Sequence, residues 1–231
     1  MSLIKKGPVV FLLVLTACAA HAERRTEERA LAPFSKLRVE NGIDVSLIQG
    51  DRPSVTIDAD DNLLKDIVTE VDGGELRISR TRNSGRFFGS DAKVRLTFVQ
   101  LSGIRASGGS DIDGGSDIKL DELSVSASGG SDVDLAVEAK KLELTLSGGS
   151  DLKLRGSAET LTINASGGSD IAAGDLRADR VTLRVSGGSD AHVNAKDAIE
   201  LDASGGSDVT VSGDPQRRAV NNDRSSDVRW R

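Results

Sequence analysis

Hydrophobic and polar residues alternate with a period of two through most of the chain, in short runs that fall into two repeating series. One series comprises Leu123-x-Val125-x-Ala127, Leu142-x-Leu144-x-Leu146, Leu161-x-Ile163-x-Ala165, Val181-x-Leu183-x-Val185 and Ile199-x-Leu201-x-Ala203. The other comprises Val133-x-Leu135-x-Val137, Leu152-x-Leu154, Ala191-x-Val193 and Val209-x-Val211. Period-two alternation places the apolar members on one face of a strand, so each run predicts a short strand with one buried side. Between a run of the first series and one of the second lies Gly-Gly-Ser-Asp, within Ser107–Asp111, Ser128–Asp132, Ser147–Asp151, Ser166–Asp170, Ser186–Asp190 and Ser204–Asp208.

Successive aspartates of that tetrapeptide are 21, 19, 19, 20 and 18 residues apart. A unit this short that holds two strands cannot close a core alone and must bury its apolar side against its neighbours. The predicted fold is therefore all-β: a single-stranded β-helix, or β-solenoid, with about 19–20 residues per coil. From the first apolar residue of a leading run to the following aspartate is nine residues in five consecutive units, whereas the return to the next leading run takes 10, 10, 11 and 9. Length variation is thus expected in solvated turns around Lys140, Gly156, Asp179 and Lys196, with the Gly-Gly-Ser-Asp corner rigid. Counting faces through that corner from an inward Ala127 puts Gly129, Ser131 and Val133 inward and Ser128, Gly130 and Asp132 outward. The inward serines would form a hydrogen-bonded ladder and the aspartates an outer row.

Residues 33–100 alternate without the tetrapeptide: Leu37-x-Val39, Val45-x-Leu47, Val55-x-Ile57, Leu76-x-Ile78 and Val94-x-Leu96-x-Phe98. Between Asn62 and Val71, Leu63, Leu64, Ile67 and Val68 stand at helical spacing and predict one short helix. This segment reads as an irregular β portion, continuous with the repeat solenoid of 101–231, that covers an otherwise open end of the stack. At the other end Arg224-Ser225-Ser226-Asp227-Val228 resembles a decayed copy of the tetrapeptide, and Trp230 is expected to cover the last coil.

Residues 1–22 have the form of an export signal, with a cationic stretch at Lys5 and Lys6 followed by a short apolar run from Val9 to Ala17. Leu15-Thr16-Ala17-Cys18 has the form of a bacterial lipobox, with cleavage before Cys18; Ala20-His21-Ala22 offers an ordinary signal-peptidase site instead. The lipobox is favoured because Cys18 is the one cysteine of the chain and stands where lipidation needs it, and residues 23–32 then read as a polar tether. The expected location is periplasmic or outer-membrane, as a lipoprotein, with secretion the alternative. Any membrane contact would be through the lipid, since no second apolar run is long enough to span a bilayer.

Removal of the signal takes away two lysines and no acid, moving the formal charge from −6 to −8, which argues against nucleic acid as a partner. Aromatics make up 3% of the chain and tyrosine is absent, as suits a narrow interior filled by Val, Leu, Ile and Ala.

The outer row of Asp111, Asp132, Asp151, Asp170, Asp190 and Asp208 is the candidate metal site, since stacked carboxylates about 4.8 Å apart are nearly twice a Ca²⁺–O bond length of about 2.4 Å. Against it, Asp in a turn accepts readily from nearby backbone N–H groups. The reading adopted is no cofactor, with room left for weak Ca²⁺ binding. No catalytic residues stand out. His192 is a lone histidine in a strand, expected to be solvated, and His21 leaves with the signal. Gly85-Arg86-Phe87-Phe88-Gly89 is the one conspicuous irregular loop, read as folded back over its phenylalanines, with a partner-binding tip as the alternative.

Phe-x-x-Leu-x-Val-x-Asn-Gly-Ile-Asp-Val (Phe34 to Val45), followed by Gly-Glu-Leu-x-Ile (Gly74 to Ile78) and the repeated Ser-Gly-Gly-Ser-Asp, resembles the bacterial head GIN domain family, a family named for auto-transporter adhesins. The resemblance implies a secreted or periplasm-facing β-solenoid and brings no catalytic residues with it. The functional expectation is a non-enzymatic binding module of the cell envelope for a glycan, a surface polymer or a surface protein. The alternative is a β-helical carbohydrate-active enzyme.

Overall fold

The computed structural model describes residues 24–81 and 92–231. In chain order its N-terminal elements are β1 (Arg24–Ala30), β2 (Lys36–Glu40), β3 (Asp44–Gln49), β4 (Ser54–Asp60), α1 (Asp61–Leu64), β5 (Ile67–Asp72), β6 (Glu75–Arg80), β7 (Lys93–Phe98) and β8 (Gly103–Ser107). The repeats follow as β9 (Ile112–Ser128), β10 (Val133–Ser147), β11 (Leu152–Ser166), β12 (Asp170–Ser186), β13 (Asp190–Ala203), β14 (Asp208–Ser212), β15 (Arg217–Asn222) and β16 (Asp227–Trp230).

The two alternating series build two parallel ladders of a β-solenoid. The ladder ahead of the corner runs β6-β2-β8-β9-β10-β11-β12-β13-β15, and the ladder behind it runs β7-β3-β9-β10-β11-β12-β13-β14-β16. Like residues stack on like: Leu142 lies between Leu123 and Leu161, and Leu144 between Val125 and Ile163. Each column is fully enclosed, with Leu142, Leu161, Ile163 and Leu183 at 0% exposure, so the core is a line of aliphatic files rather than a central ball.

Coils do not stack in chain order at the N-terminal end. The coil made by β2 and β3 sits second, between β8 and β9 on one side and β6 and β7 on the other, although β6 and β7 come later in the chain. Beyond the first coil the ladders are closed by antiparallel strands, β5 on β6 and β4 on β7, with β1 outermost on β4.

Several expectations are corrected. Residues 24–30 are no loose tether but the edge strand β1, held along its length against β4. Arg29 fastens it further, donating to the carbonyls of Leu64 (3.1 Å) and Ile67 (2.8 Å). The helix stops at Leu64; Ile67 and Val68 belong to β5, because tertiary pairing with β6 overrides a short local periodicity. Strands β9 to β13 run unbroken from one ladder to the next. The variable return length is absorbed by bulges within these strands rather than by turns, between Leu135 and Val137, Lys153 and Arg155, Ala173 and Arg177, and Ala178 and Arg180, the last at the expected Asp179 and Lys196.

At the corner the face count fails at Gly129, expected inward. Gly129 and Gly130 have φ of +68° and +71° and are both exposed; the chain turns there instead of continuing as a strand, and alternation resumes at a buried Ser131. The serine ladder itself is present. Ser110 N–H donates to Ser131 Oγ (3.1 Å), Ser131 N–H to Ser150 Oγ (3.3 Å) and Ser169 N–H to Ser189 Oγ (3.2 Å). The same hydroxyls turn back on their own corner, Ser189 Oγ donating to Ser186 O at 2.9 Å. Ser150 and Ser189 thus each satisfy an amide of the neighbouring coil and a carbonyl of their own corner where a coil bends.

The ladder is closed at both ends by altered corners. Asn41-Gly42-Ile43-Asp44 is a version of Gly-Gly-Ser-Asp in which Asn41 takes φ +65° and Ile43 replaces the serine; Gly42 and Ile43 N–H both donate to Ser110 Oγ. At the C-terminal end neither Arg224 nor Ser225 takes the left-handed conformation of the glycines they replace. Side chains do the work of a further coil there: Asp223 accepts from Gly205 N–H (2.9 Å), Ser225 Oγ from Gly206 N–H (3.1 Å) and Ser226 Oγ from Ser207 N–H (3.2 Å). Trp230 lies at the end of the core column in register with Val211, still 39% exposed.

Candidate functional site

Because the residue after the buried corner serine points outward in every coil, the aspartates stack in single file. Asp111, Asp132, Asp151, Asp170, Asp190 and Asp208 all fall in it, and all are exposed. The file is longer than the tetrapeptide count suggests. Asp227 pairs with Asp208 at one end, and at the other Asp44 sits beside Asp111, with Val45 in register with Ile112. Lys93 stands next to Asp44 and ends the run of acids. Asp44 was legible in principle, since Leu37 stands seven residues before it as Val125 does before Asp132.

Two residues along each strand a second, mixed file runs parallel: Asp113, Asp134, Lys153, Ala172, His192, Thr210 and Arg229. The two files wall a groove of about 740 Å³ along the solenoid axis. A second concavity of about 530 Å³ shares Asp111 and Asp113 with it and extends it toward Thr26 and Asp58 of the N-terminal cap. In the second file Asp134 is neutralised in place by Arg155 (3.0 Å) and Lys153 (3.5 Å). His192 is half-buried rather than solvated: its ring covers Gly174 and Nε2 lies 2.8 Å from Ser212 Oγ.

From Asp111 to Asp208 the first file forms no such ion pair among the described residues; only Asp227 at its end does, with Arg229 (3.3 Å). Burial in the groove pushes the Asp132 carboxyl above the ordinary carboxylate value, and the neighbouring Asp111 and Asp151 push it further; a bond from the Asp151 amide offsets part of this. Asp170 is raised by burial and by Asp151 and Asp190. Asp111 is raised by burial and by Asp44, although it accepts from the Asp132 amide at 3.2 Å. Each of these groups binds a proton more readily folded than unfolded, so its effect on stability is best below the unfolded value and worsens as pH rises through the folded one. Thermal stability should therefore rise as pH is lowered from neutral through the raised folded values of these carboxyls toward the ordinary carboxylate range. It should fall again in strong acid, where Asp223, held down at about 2 by the Gly205 amide and the Ser225 hydroxyl, loses its charge. A pH series of melting temperatures on the wild type and on Asp111→Asn/Asp132→Asn/Asp170→Asn checks this; the variant should lose the rise and keep the acid fall.

Each acid of the file flanks at most two others, and among the described residues no three His, Cys, Asp or Glu side chains converge to hold a metal ion. The melting temperature is accordingly expected to be unmoved by millimolar Ca²⁺, and a shift that disappears in Asp132→Asn/Asp151→Asn/Asp170→Asn would contradict this. Cys18, His21 and the Gly85–Gly89 loop lie outside the described residues.

The model of the family described as "Putative auto-transporter adhesin, head GIN domain" matches residues 33–215. The chain belongs to that family. Among solved structures, a "putative adhesin" from Bacteroides fragilis superposes with a TM-score of 0.87 at 23% identity, over 91% of this chain and 98% of that one. One from Parabacteroides merdae gives 0.71 at 19% identity (90% and 96%). A "putative lipid binding protein" from Parabacteroides distasonis gives 0.68 at 18% identity (90% and 96%). At these identities the likeness is one of fold. No curated protein matches the chain. The head GIN family is thus a β-solenoid family here as well, and its adhesin name points to an exported or surface protein that binds surface molecules.

Proposed function

We propose that this head GIN protein is an exported, non-enzymatic binding module of the cell envelope, which holds an extended surface polymer, a polysaccharide or a strand of surface protein, along its aspartate-walled groove. The observation that carries this reading is the unpaired acid file. Carboxyls raised by burial and by one another weaken the fold at neutral pH, and the six tetrapeptides nevertheless present aspartate at the same outward position. Acceptors repeating at about 4.8 Å along a straight groove suit a ligand with hydroxyl or amine donors that also recur along its length.

Lipidation at Cys18 would tie the module to a membrane. Five residues, Ala19 to Glu23, would then separate the lipid from β1, seating the N-terminal cap at the membrane surface with the solenoid axis leading away. Cys18→Ser is expected to move the protein from the membrane fraction to the soluble fraction, since a single lipid would be its anchor. Unchanged fractionation, or a mature N-terminus at Glu23 by mass spectrometry, would contradict the lipoprotein reading and leave secretion. The binding role is tested by a glycan array run with a reducing-end release assay on the same polymers. Retention without release is the expected result. Release with turnover would replace the module by a β-helical carbohydrate-active enzyme.

A further inference from the structure

At the N-terminal end of the groove, where parallel stacking gives way to the antiparallel cap, the outward charges are sorted strand by strand. β7 presents Lys93 and Arg95, two residues apart on one face; β3 beside it presents Asp44 and Ser46; β9 beside that presents Asp113, with Asp111 just ahead of it. On the far side of β7, β4 sets Asp58 against Lys93 and Thr56 against Arg95. All of these residues line the one concavity of about 530 Å³.

Elsewhere on the outer faces a cation beside an acid pairs with it, as Arg77 does with Glu40 (2.9 Å), Arg105 with Glu75 (2.8 Å) and Arg155 with Asp134 (3.0 Å). Among the described residues Lys93 and Arg95 form no ion pair or hydrogen bond through their side chains. Asp58 is occupied by Arg24 at 2.6 Å, and Arg95 has hydroxyls rather than acids on both sides. Asp44 and Asp113 are unpaired as well. A ligand carboxylate can therefore engage both cations without breaking an internal ion pair, with the Ser46 and Thr56 hydroxyls as further donors. A ligand that was only anionic would be repelled by Asp44, Asp111 and Asp113, and one that was only cationic by Lys93 and Arg95.

We infer that this end of the groove seats a zwitterionic glycan unit, a sugar carboxylate on Lys93 and Arg95 with the ammonium of an adjacent amino sugar among Asp44, Asp111 and Asp113. The inference rests on the polymer-binding reading of the groove and adds to it the chemistry of the unit held at the cap. β7 and β9 lie two strand spacings apart, about 10 Å, so the two charges belong on neighbouring sugars. An extended peptide fits less well, because its same-face side chains recur at about 6.8 Å, out of step with strands spaced at about 4.8 Å.

The test is an NMR titration of the mature protein with a glucosamine–glucuronate disaccharide. Beside it run the N-acetylated form, which keeps only the carboxylate, a glucosamine disaccharide, which keeps only the amines, and acetyl-Lys-Glu-amide. The zwitterionic disaccharide is expected to bind at least about tenfold more tightly than any of the three. Lys93→Gln/Arg95→Gln and, separately, Asp111→Asn/Asp113→Asn should each weaken it by about tenfold in proteins that still melt cooperatively, whereas Arg95→Lys, which keeps the charge, should retain most of the binding. Asp151→Asn/Asp170→Asn/Asp190→Asn, farther along the file, should leave the disaccharide unaffected and weaken long-chain chitosan. Failure of the groove reading shows separately, as chitosan binding undiminished in that variant. Absence of disaccharide binding, equal binding of the amine-only or acid-only form, equal binding of the peptide, or insensitivity to the Lys93/Arg95 variant would each overturn the assignment.

Discussion

Gly187→Ala is expected to cost the fold about 3 kcal/mol, lowering the melting temperature by roughly 6–12 °C for a domain of this size. Its φ is +71°, and a Cβ there would lie 3.1 Å from the backbone nitrogen of Gly167 in the preceding coil, a neighbour that cannot swing away. Gly188 has nearly the same φ, +73°, but nothing within 4 Å of its Cβ position, so Gly188→Ala should carry the conformational cost alone, about 1–2 kcal/mol. The contrast isolates stacking from backbone conformation. Equal losses in circular-dichroism melts would mean that the first glycine of each pair is not set by contact between coils.

The second large effect is expected at the ladder. Ser189 is fully buried, accepts from Ser169 N–H and donates to Ser186 O. Ser189→Ala removes both partners at once and leaves an amide and a carbonyl unsatisfied away from water, for about 2–3 kcal/mol. Ser166→Ala, at an exposed position of the same corner type, should stay within about 0.5 kcal/mol. If the two variants melt together, the buried hydroxyls are not what ties one corner to the next.

The repeat architecture was legible because each coil is nearly a copy of its neighbour: period-two runs, a nine-residue approach to a rigid corner and a scarcity of aromatics all pointed to stacked aliphatic files, and the inward serines and outward aspartates followed from counting. The count went wrong at Gly129, because two successive left-handed residues turn the chain and suspend the strand alternation. The helix assigned across Asn62–Val71 ended early, and residues 24–30 formed a strand, for a common reason: an unpaired ladder edge recruits any chain that reaches it, whatever its local preference. The interleaving of β2 and β3 between later strands left no mark in the sequence, since a coil's own residues do not say which neighbour lies beneath it. For the site, the tetrapeptide revealed six aspartates. Asp44 escaped because its corner is built from Asn41-Gly42-Ile43, and Asp227, though its corner is legible as a decayed copy, fell outside the row because Arg224-Ser225 replaces the glycine pair.

The most direct measurement is a calorimetric titration of the wild type and of Asp132→Asn/Asp151→Asn/Asp170→Asn with the envelope polymer best retained on the array. The three side chains lie side by side on the groove wall and are exposed, so the variant should fold and, at neutral pH, melt at or above the wild-type temperature. Binding by the wild type that falls at least about tenfold in the variant is the result expected of a groove that uses its acids as the contact surface. Undiminished binding by a variant that melts normally would contradict it and leave the aspartate file without a role in adhesion.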